Sequence, residues 1–457
     1  MIVFVSDLHL TDGTSGETIH AGAFAAFRER LRDLAYDASW RSDGKYRPLD
    51  ECHVVLLGDI LDVIRSTRWL AGTVRPWSNS GDFAFAKQVS EITQAVLGNN
   101  QESIAILKSL SQGQVITIPP AAANGRPAIV SRDPKARERV PVRVNVHYLV
   151  GNHDWFFHLP GIPFNDIRTT ILSVVGLVNR ADVPFPHDPF ESEELKQAYR
   201  EHQVFARHGD IFDSFNYAQD RNISSLGDAI VVELLNKFPE EVQKQLGDEL
   251  PKECSLGLRE IDNVRPLMIV PVWISGLLRR TCPDAMAKKI KSVWDSLVDQ
   301  FLGLSFVQQH HSVTQLFDDV SKLEWALKFS KGVSLANLSN IVEWSKKRLG
   351  IREGAFYPNA FAESEFKNRN ARYVVYGHTH HHEIVPLDTV QVATGFMEQV
   401  YVNSGTWRAV HELAQLHPTQ QEFVGYHVMT YLAFFKNDER KGRRFECWSG
   451  ALDKSFA

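Results

Sequence analysis

The sequence predicts a layered α/β protein, a sheet core flanked by helices and interrupted by a large helical insertion. Three observations carry that expectation. Five short apolar, β-rich runs each end in a polar cluster. The stretches between them carry apolar residues at helical spacing. A strongly helical block, about 215–370, separates the fourth cluster from the fifth.

The first strand is expected in Met1-Ile2-Val3-Phe4-Val5, which runs directly into Ser6-Asp7-Leu8-His9. A helix over about 21–38 follows, and then a second buried strand, Cys52 to Leu57, ending at Gly58-Asp59. Between the second and third clusters the pattern predicts one long helix near 83–111, a surface hairpin or flexible loop over 119–127, and a mixed-charge stretch over 132–139. Val142 to Val150 reads as a strand ending at Gly151-Asn152-His153-Asp154. An insertion at 164–201 carries a helix and a Pro-rich turn. Strands before His208 and before Gly377-His378 follow, and late strands are expected over 422–435 and 443–448. In the large insertion Met286, Ile290, Val293, Trp294, Leu297, Val298, Phe301 and Leu302 recur at helical spacing, with Asp284 placed to cap the start. The domain reading is a core over 1–214 (interrupted near 112–141 and 164–201), a helical cap over 215–370, and the rest of the core over 371–457.

At 457 residues, 44% hydrophobic and 23% charged, the chain can bury a substantial core. Fifty basic against fifty-five acidic residues leaves a net charge of −5, which gives no global signal for nucleic acid or an anionic membrane. Cys52, Cys254, Cys282 and Cys447 form no CxxC pair and read as thiols of a reducing compartment. The first cluster begins at residue 7, leaving no room for a signal peptide, so the expected location is cytoplasmic. No transmembrane segment is expected.

The clusters are Asp7-Leu8-His9, Gly58-Asp59-Ile60-Leu61-Asp62, Gly151-Asn152-His153-Asp154, His208-Gly209-Asp210 and Gly377-His378-Thr379-His380. Asp offers hard anionic oxygen and neutral His a borderline nitrogen, a mixture without thiolate that favours Mn²⁺, with Fe or Zn²⁺ as alternatives, over Mg²⁺ or Ca²⁺. Residues i and i+2 of a strand project to one side, so Asp7 and His9 are able to grip one ion, and His378 and His380 share that spacing. Each cluster alone is a common strand-to-loop junction or turn. All five, each delivered at a strand's carboxyl end, supply ligands for two adjacent divalent ions and hence for phosphate-ester hydrolysis.

The ordered set resembles the calcineurin-like metallophosphoesterase superfamily, whose pattern is D-x-H, G-D-x-x-D, G-N-H-[DE], H and G-H-x-H. The resemblance covers the motifs and core strands, about half the chain, and implies a β-sandwich core. It further implies that Asp7, His9 and His380 bind one metal ion, that Asn152, His208 and His378 bind the other, and that Asp59 bridges them. His153 would sit over the phosphate as general acid, with Asp154 holding its imidazole, while Asp62 and Asp210 orient ligand residues. The implied reaction is in-line attack on phosphorus by a hydroxide shared between ions roughly 3.5–4 Å apart.

The substrate is less legible. His208-Gly209-Asp210 and the run Tyr401 to Trp407 resemble the UDP-2,3-diacylglucosamine hydrolase branch, although many of those enzymes carry Arg where this chain has His153 and are far shorter. A nuclease would be expected to show a basic groove, and only Lys346-Lys347-Arg348 stands out. A non-catalytic scaffold usually has eroded ligands, and Asp62-Val63-Ile64 lacks the Arg-Gly of the protein Ser/Thr phosphatases. Within 265–280, the apolar run reads first as cap core and only second as a membrane-interface contact. Arg65 and Arg68 read first as surface arginines and second as phosphate contacts. Trp155-Phe156-Phe157 reads as packing before base stacking, and His381 and His382 have no implied role.

Overall fold

The computed structural model describes residues 1–129, 138–265, 269–313, 355–392, 395–414 and 422–452. In chain order the strands are β1 (Ile2–Val5), β2 (Glu51–Leu57), β3 (Thr117–Ile118), β4 (Val140–Pro141), β5 (Arg143–Leu149), β6 (Val204–Ala206), β7 (Tyr373–Tyr376), β8 (His382–Val392), β9 (Gly395–Ser404), β10 (Ala409–Leu413), β11 (Phe423–Phe434) and β12 (Phe445–Leu452). One mixed sheet runs β10-β11-β1-β2-β5, with β12 on the other edge of β11. Within it β1, β2 and β5 are parallel, and β11 is antiparallel to β1. A second mixed sheet runs β6-β7-β9-β8, parallel except for its last pair.

Alternation along the strands decides what each face buries. Ile2, Phe4, Val55, Leu57 and Leu149 of the first sheet share one apolar cluster with Val204, Ala206, Val375 and Val402 of the second. The two sheets therefore meet across a common core, and the Tyr373 and Phe434 rings lie 4.8 Å apart across it. The residues of opposite parity, among them Val3, Val5, Val54, Leu56, Val144 and Val146, face a helical layer. That layer contains α1 (Ala21–Ala38), α2 (Phe83–Asn99), α3 (Gln101–Ser111) and α4 (Ile162–Val175). The molecule is thus a mixed α/β protein.

The single helix expected near 83–111 is two helices. Asn100 leaves the helical region at φ −114°, ψ 28°, and its side chain donates to Thr11 O at 2.7 Å, which anchors the break. Within 164–201 the expected helix is α4, and α5 (Glu193–His202) follows the Pro-rich turn. Ala121 and Pro127 pair as a bridge, so 119–127 closes on itself. Most of 132–139 lies outside the described residues.

The described part of the large insertion is helical: α6 (Leu226–Ile230), a π-helical turn (Val231–Asn236), α7 (Lys237–Leu246), α8 (Lys252–Arg259), α9 (Val270–Thr281), α10 (Asp284–Leu302), α11 (Ser305–Val313), α12 (Tyr357–Ala360) and α13 (Ser364–Lys367). Residues 314–354 lie outside the description. Asp284 is not the cap of α10: it occupies the first turn, where its charge meets the helix N-terminus, and Pro283 precedes it without a side-chain cap bond. Val232, Val272, Leu278 and Trp294 belong to the same continuous apolar cluster as the helical layer on the first sheet. The membrane-facing reading of 265–280 gives way to core, because Val270 and Val272 through Leu278 are buried. Among the described residues no helix is long and apolar enough to cross a membrane.

Candidate metal centre

Parallel pairing of β1, β2 and β5 sets their carboxyl ends side by side, and the parallel β6 and β7 do the same opposite them. Backbone bonds lock the loops in register: Asp7 N to Gly58 O at 3.1 Å, His9 N to Asp59 O at 2.9 Å, and Gly377 N to His208 O at 2.8 Å. Asp7, His9, Asp59, His378 and His380 all adopt left-handed backbone conformations, with φ between 44° and 69°. For a non-glycine residue this costs about 1–2 kcal/mol, and such outliers concentrate where function requires them.

Two donor groups result. Asp7 Oδ1, His9 Nε2 and His380 Nε2 form the first, with separations of 3.8 Å from Asp7 to His9, 3.3 Å from Asp7 to His380, and 3.0 Å between the imidazoles. In the second, His208 Nε2 lies 3.3 Å from Asp59 Oδ2 and 3.2 Å from Asn152 Oδ1, and His378 Nδ1 lies 3.0 Å from the same amide oxygen. Asp59 Oδ2 is also 3.7 Å from His9 Nε2, so one carboxylate oxygen faces both groups. Asp59 Oδ1 is occupied by the His153 amide at 2.8 Å.

Outer contacts fix which nitrogen carries a proton. Asp62 Oδ2 accepts from His9 Nδ1 at 2.7 Å, Leu57 O accepts from His208 Nδ1 at 2.9 Å, and Asp213 Oδ2 accepts from His378 Nε2 at 3.0 Å. Each of these partners can only accept, so in the neutral imidazole the proton is held outward and the inward nitrogen carries the lone pair that an ion would take. His380 differs, because Arg265 donates to its Nδ1 at 3.1 Å. The proton then sits on Nε2 and points at His9, so metal ligation by His380 Nε2 requires Arg265 to release Nδ1.

Asp7 shows the electrostatic demand most plainly. Oδ2 takes Ser6 Oγ at 2.5 Å and His378 N at 3.1 Å, while Oδ1 is buried without a hydrogen bond. Burial would raise its pKa, but His208, His380 and His9 hold it well below the usual carboxylate range. Asp59 behaves alike, held down against burial by His208 and His153. A buried ionised oxygen without a hydrogen bond, 3.8 Å from His9 Nε2 and 3.3 Å from His380 Nε2, fits a divalent cation, and these oxygen and nitrogen donors suit Mn²⁺, Fe or Zn²⁺. The glycines leave no slack: a Cβ on Gly58 would fall 2.5 Å from the His208 ring, and one on Gly151 would collide with Asp59 Oδ1.

All seven expected ligands and His153 are gathered here, but Asp154 is not the partner of His153. Asp62 Oδ1 holds His153 Nδ1 at 2.9 Å. Despite the burial that opposes its charge, Asp62 and Asp59 raise this histidine to about 9. Asp154 instead accepts from Ile60 N at 2.9 Å, Tyr148 Oη at 2.6 Å and Gly151 N at 2.6 Å, bracing two motif loops against each other. Burial and the charge of Asp59 push it up to about 7. Asp210 acts one step away, pairing with Arg221, whose other nitrogen donates to Gly151 O at 3.0 Å.

Arg65 is neither a surface group nor open to a ligand, being 1% exposed and paired with Asp262 at 2.9 Å. Arg68 is half-exposed and pairs with Asp12. Trp155, Phe156 and Phe157 are core, and His382 Nδ1 donates to Asn403 O at 2.8 Å. Sequence reasoning missed Ser6, Asp213 and Arg265. Asp213, five residues beyond His208, could have been found by its proximity to the fourth motif. Arg265 comes from the distant insertion and carries no local signal.

Neither a scan of protein-family models nor a search of curated proteins finds a match to this chain.

Proposed function

We propose that this protein is a two-metal phosphoric ester hydrolase of the calcineurin-like type, acting on a phosphate ester or a pyrophosphate bond. The observation that carries the reading is the Asp59 carboxylate, whose Oδ2 faces His9 at 3.7 Å and His208 at 3.3 Å and so joins the two donor groups. Two facing sheets with helices outside, and ligands at the parallel strands' carboxyl ends, agree with the sandwich core of that superfamily. Asp7, His9, His380 and Asp59 would hold one ion, and Asp59, Asn152, His208 and His378 the other. Mn²⁺ is favoured, with Fe or Zn²⁺ also compatible.

When bound, two such ions acidify water and neutralise the phosphoryl oxygens. The chain's own residues supply the rest. Asp62, Leu57 O and Asp213 keep His9, His208 and His378 in the tautomers that present lone pairs inward. Asp62 also orients His153 through Nδ1, leaving Nε2 as the edge that can donate a proton to a phosphoryl or leaving-group oxygen. Arg265 brings a guanidinium to the rim beside His380, a position suited to an anionic substrate. Four free thiols accord with a reducing, cytoplasmic setting.

The test is hydrolysis of bis-p-nitrophenyl phosphate beside p-nitrophenyl phosphate by Mn²⁺-loaded protein. Metal-dependent release of nitrophenol is expected, and the preferred ester separates diesterase from monoesterase chemistry. No hydrolysis of either ester, or of UDP-linked pyrophosphates, by protein carrying two ions would leave the donor set to a non-catalytic role.

A further inference from the structure

We propose that His158, His187 and Glu191 form a separate zinc site that fastens the third-motif loop to the turn leading into α5. His158 closes the short helical turn that follows Gly151-Asn152-His153-Asp154. His187 precedes another short turn, Pro189–Glu191, which Glu191 ends and which Asp188 and Glu191 cap together. The two segments already run side by side, with Val150 N donating to Pro186 O at 2.9 Å and Phe185 N to Phe157 O at 3.1 Å.

Three donors converge across this seam. Asn222 Oδ1 accepts from His158 Nδ1 at 2.8 Å, which leaves the lone pair on Nε2, and that atom lies 3.6 Å from Glu191 Oε2. His187 Nδ1 lies 3.1 Å from Glu191 Oε1, yet it is buried and makes no hydrogen bond. The carboxylate is held in place because Oε2 also accepts from the backbone N–H groups of His187 at 3.0 Å and Asp188 at 3.4 Å. The imidazole rings stand 4.9 Å apart at 86°, and one atom from each residue falls within 4.8 Å of the others.

Two imidazoles that converge on one carboxylate are joined to it by protons in acid, and once both rings are neutral a cation can take the protons' place. Donors bound at about 2.0–2.1 Å to a tetrahedral ion stand roughly 3.3 Å apart, close to the 3.6 Å and 3.1 Å between the Glu191 carboxylate and the His158 and His187 nitrogens. Two imidazoles and one carboxylate without thiolate suit Zn²⁺, and the 38% exposure of Glu191 leaves a way in and room for a water as fourth ligand. The site lies outside the candidate catalytic centre, five residues along the loop from His153.

The test compares untagged full-length parent, His187→Ala and Glu191→Gln, each equilibrated with Zn²⁺, desalted and counted for zinc by mass spectrometry. The same three are prepared in an Asp59→Asn background, so the readout is the difference between variants and does not depend on how the other centre behaves. We expect each variant to hold about one zinc fewer per chain in both backgrounds, and the zinc-dependent rise in thermal midpoint to shrink. Glu191→Gln decides the matter if His187→Ala fails to fold. Equal zinc content in parent and folded variants would overturn the proposal.

Discussion

Asp62 touches both His153 and His9: its Oδ1 holds His153 Nδ1 at 2.9 Å and its Oδ2 holds His9 Nδ1 at 2.7 Å. One fully buried carboxylate therefore sets the orientation of a metal-ligand candidate and of the proposed general acid. Asp62→Asn keeps the shape but can satisfy only one of the two N–H donors. Turnover or metal affinity should fall by roughly 10–100-fold, as for other partners that orient ligands. Titration of activity against Mn²⁺ would check this, and unchanged activity and affinity would remove Asp62 from the machinery.

His153 stands apart from the ligands in its effect. Its ring packs edge-on to His9 at 4.6 Å, but its backbone amide, not its side chain, meets Asp59. His153→Ala should retain both ions and lose about 10²–10⁴-fold in turnover. Metal counting beside steady-state kinetics separates the outcomes, and loss of an ion together with activity would make His153 a ligand instead.

Asp154 should register in stability. Asp154→Ala would leave the buried donors Ile60 N, Tyr148 Oη and Gly151 N without an acceptor. A loss on the order of 3 kcal/mol is expected from urea unfolding, since each orphaned group costs about 1–3 kcal/mol. A destabilisation below 1 kcal/mol with collapsed turnover would restore the role first expected for it beside His153.

Acid should weaken the fold through a different set of histidines. His53 on β2 and His147 on β5 share a 3.0 Å contact, and His202 of α5 lies edge-on to His53, all three buried. Burial first, then the neighbouring His53, lowers His147 to about 3, and burial likewise lowers His53 and His202. In the unfolded chain each binds a proton near 6.5. Below that pH the unfolded state therefore holds more protons, and stability falls progressively as pH drops toward 3. The slope contributed by each is at most about 1.4 kcal/mol per pH unit. Urea titrations at pH 7 and pH 5 should show this limb flattened in His147→Gln, and an identical pH dependence would contradict it.

What the sequence discloses here is local. The bounds of α1 and the strands preceding each motif follow from apolar periodicity, and the seven ligand candidates follow from the resemblance of the ordered motifs to the metallophosphoesterase pattern. The break at Asn100 was hidden because its cause is a bond to Thr11, far away in sequence. Asp62 and Asp154 are both acidic residues near a motif, and only the register of the loops decides which one meets His153. Arg65 looked like surface until Asp262, supplied by the insertion, was seen to bury it.

The most direct measurement of the central claim is an anomalous difference map at the manganese edge from Mn²⁺-soaked crystals of the full chain. The account predicts two peaks flanking Asp59 Oδ2, one against Asp7, His9 and His380 and the other against Asn152, His208 and His378. No peak at Asp59, or a single ion with its carboxylate turned away, would contradict it.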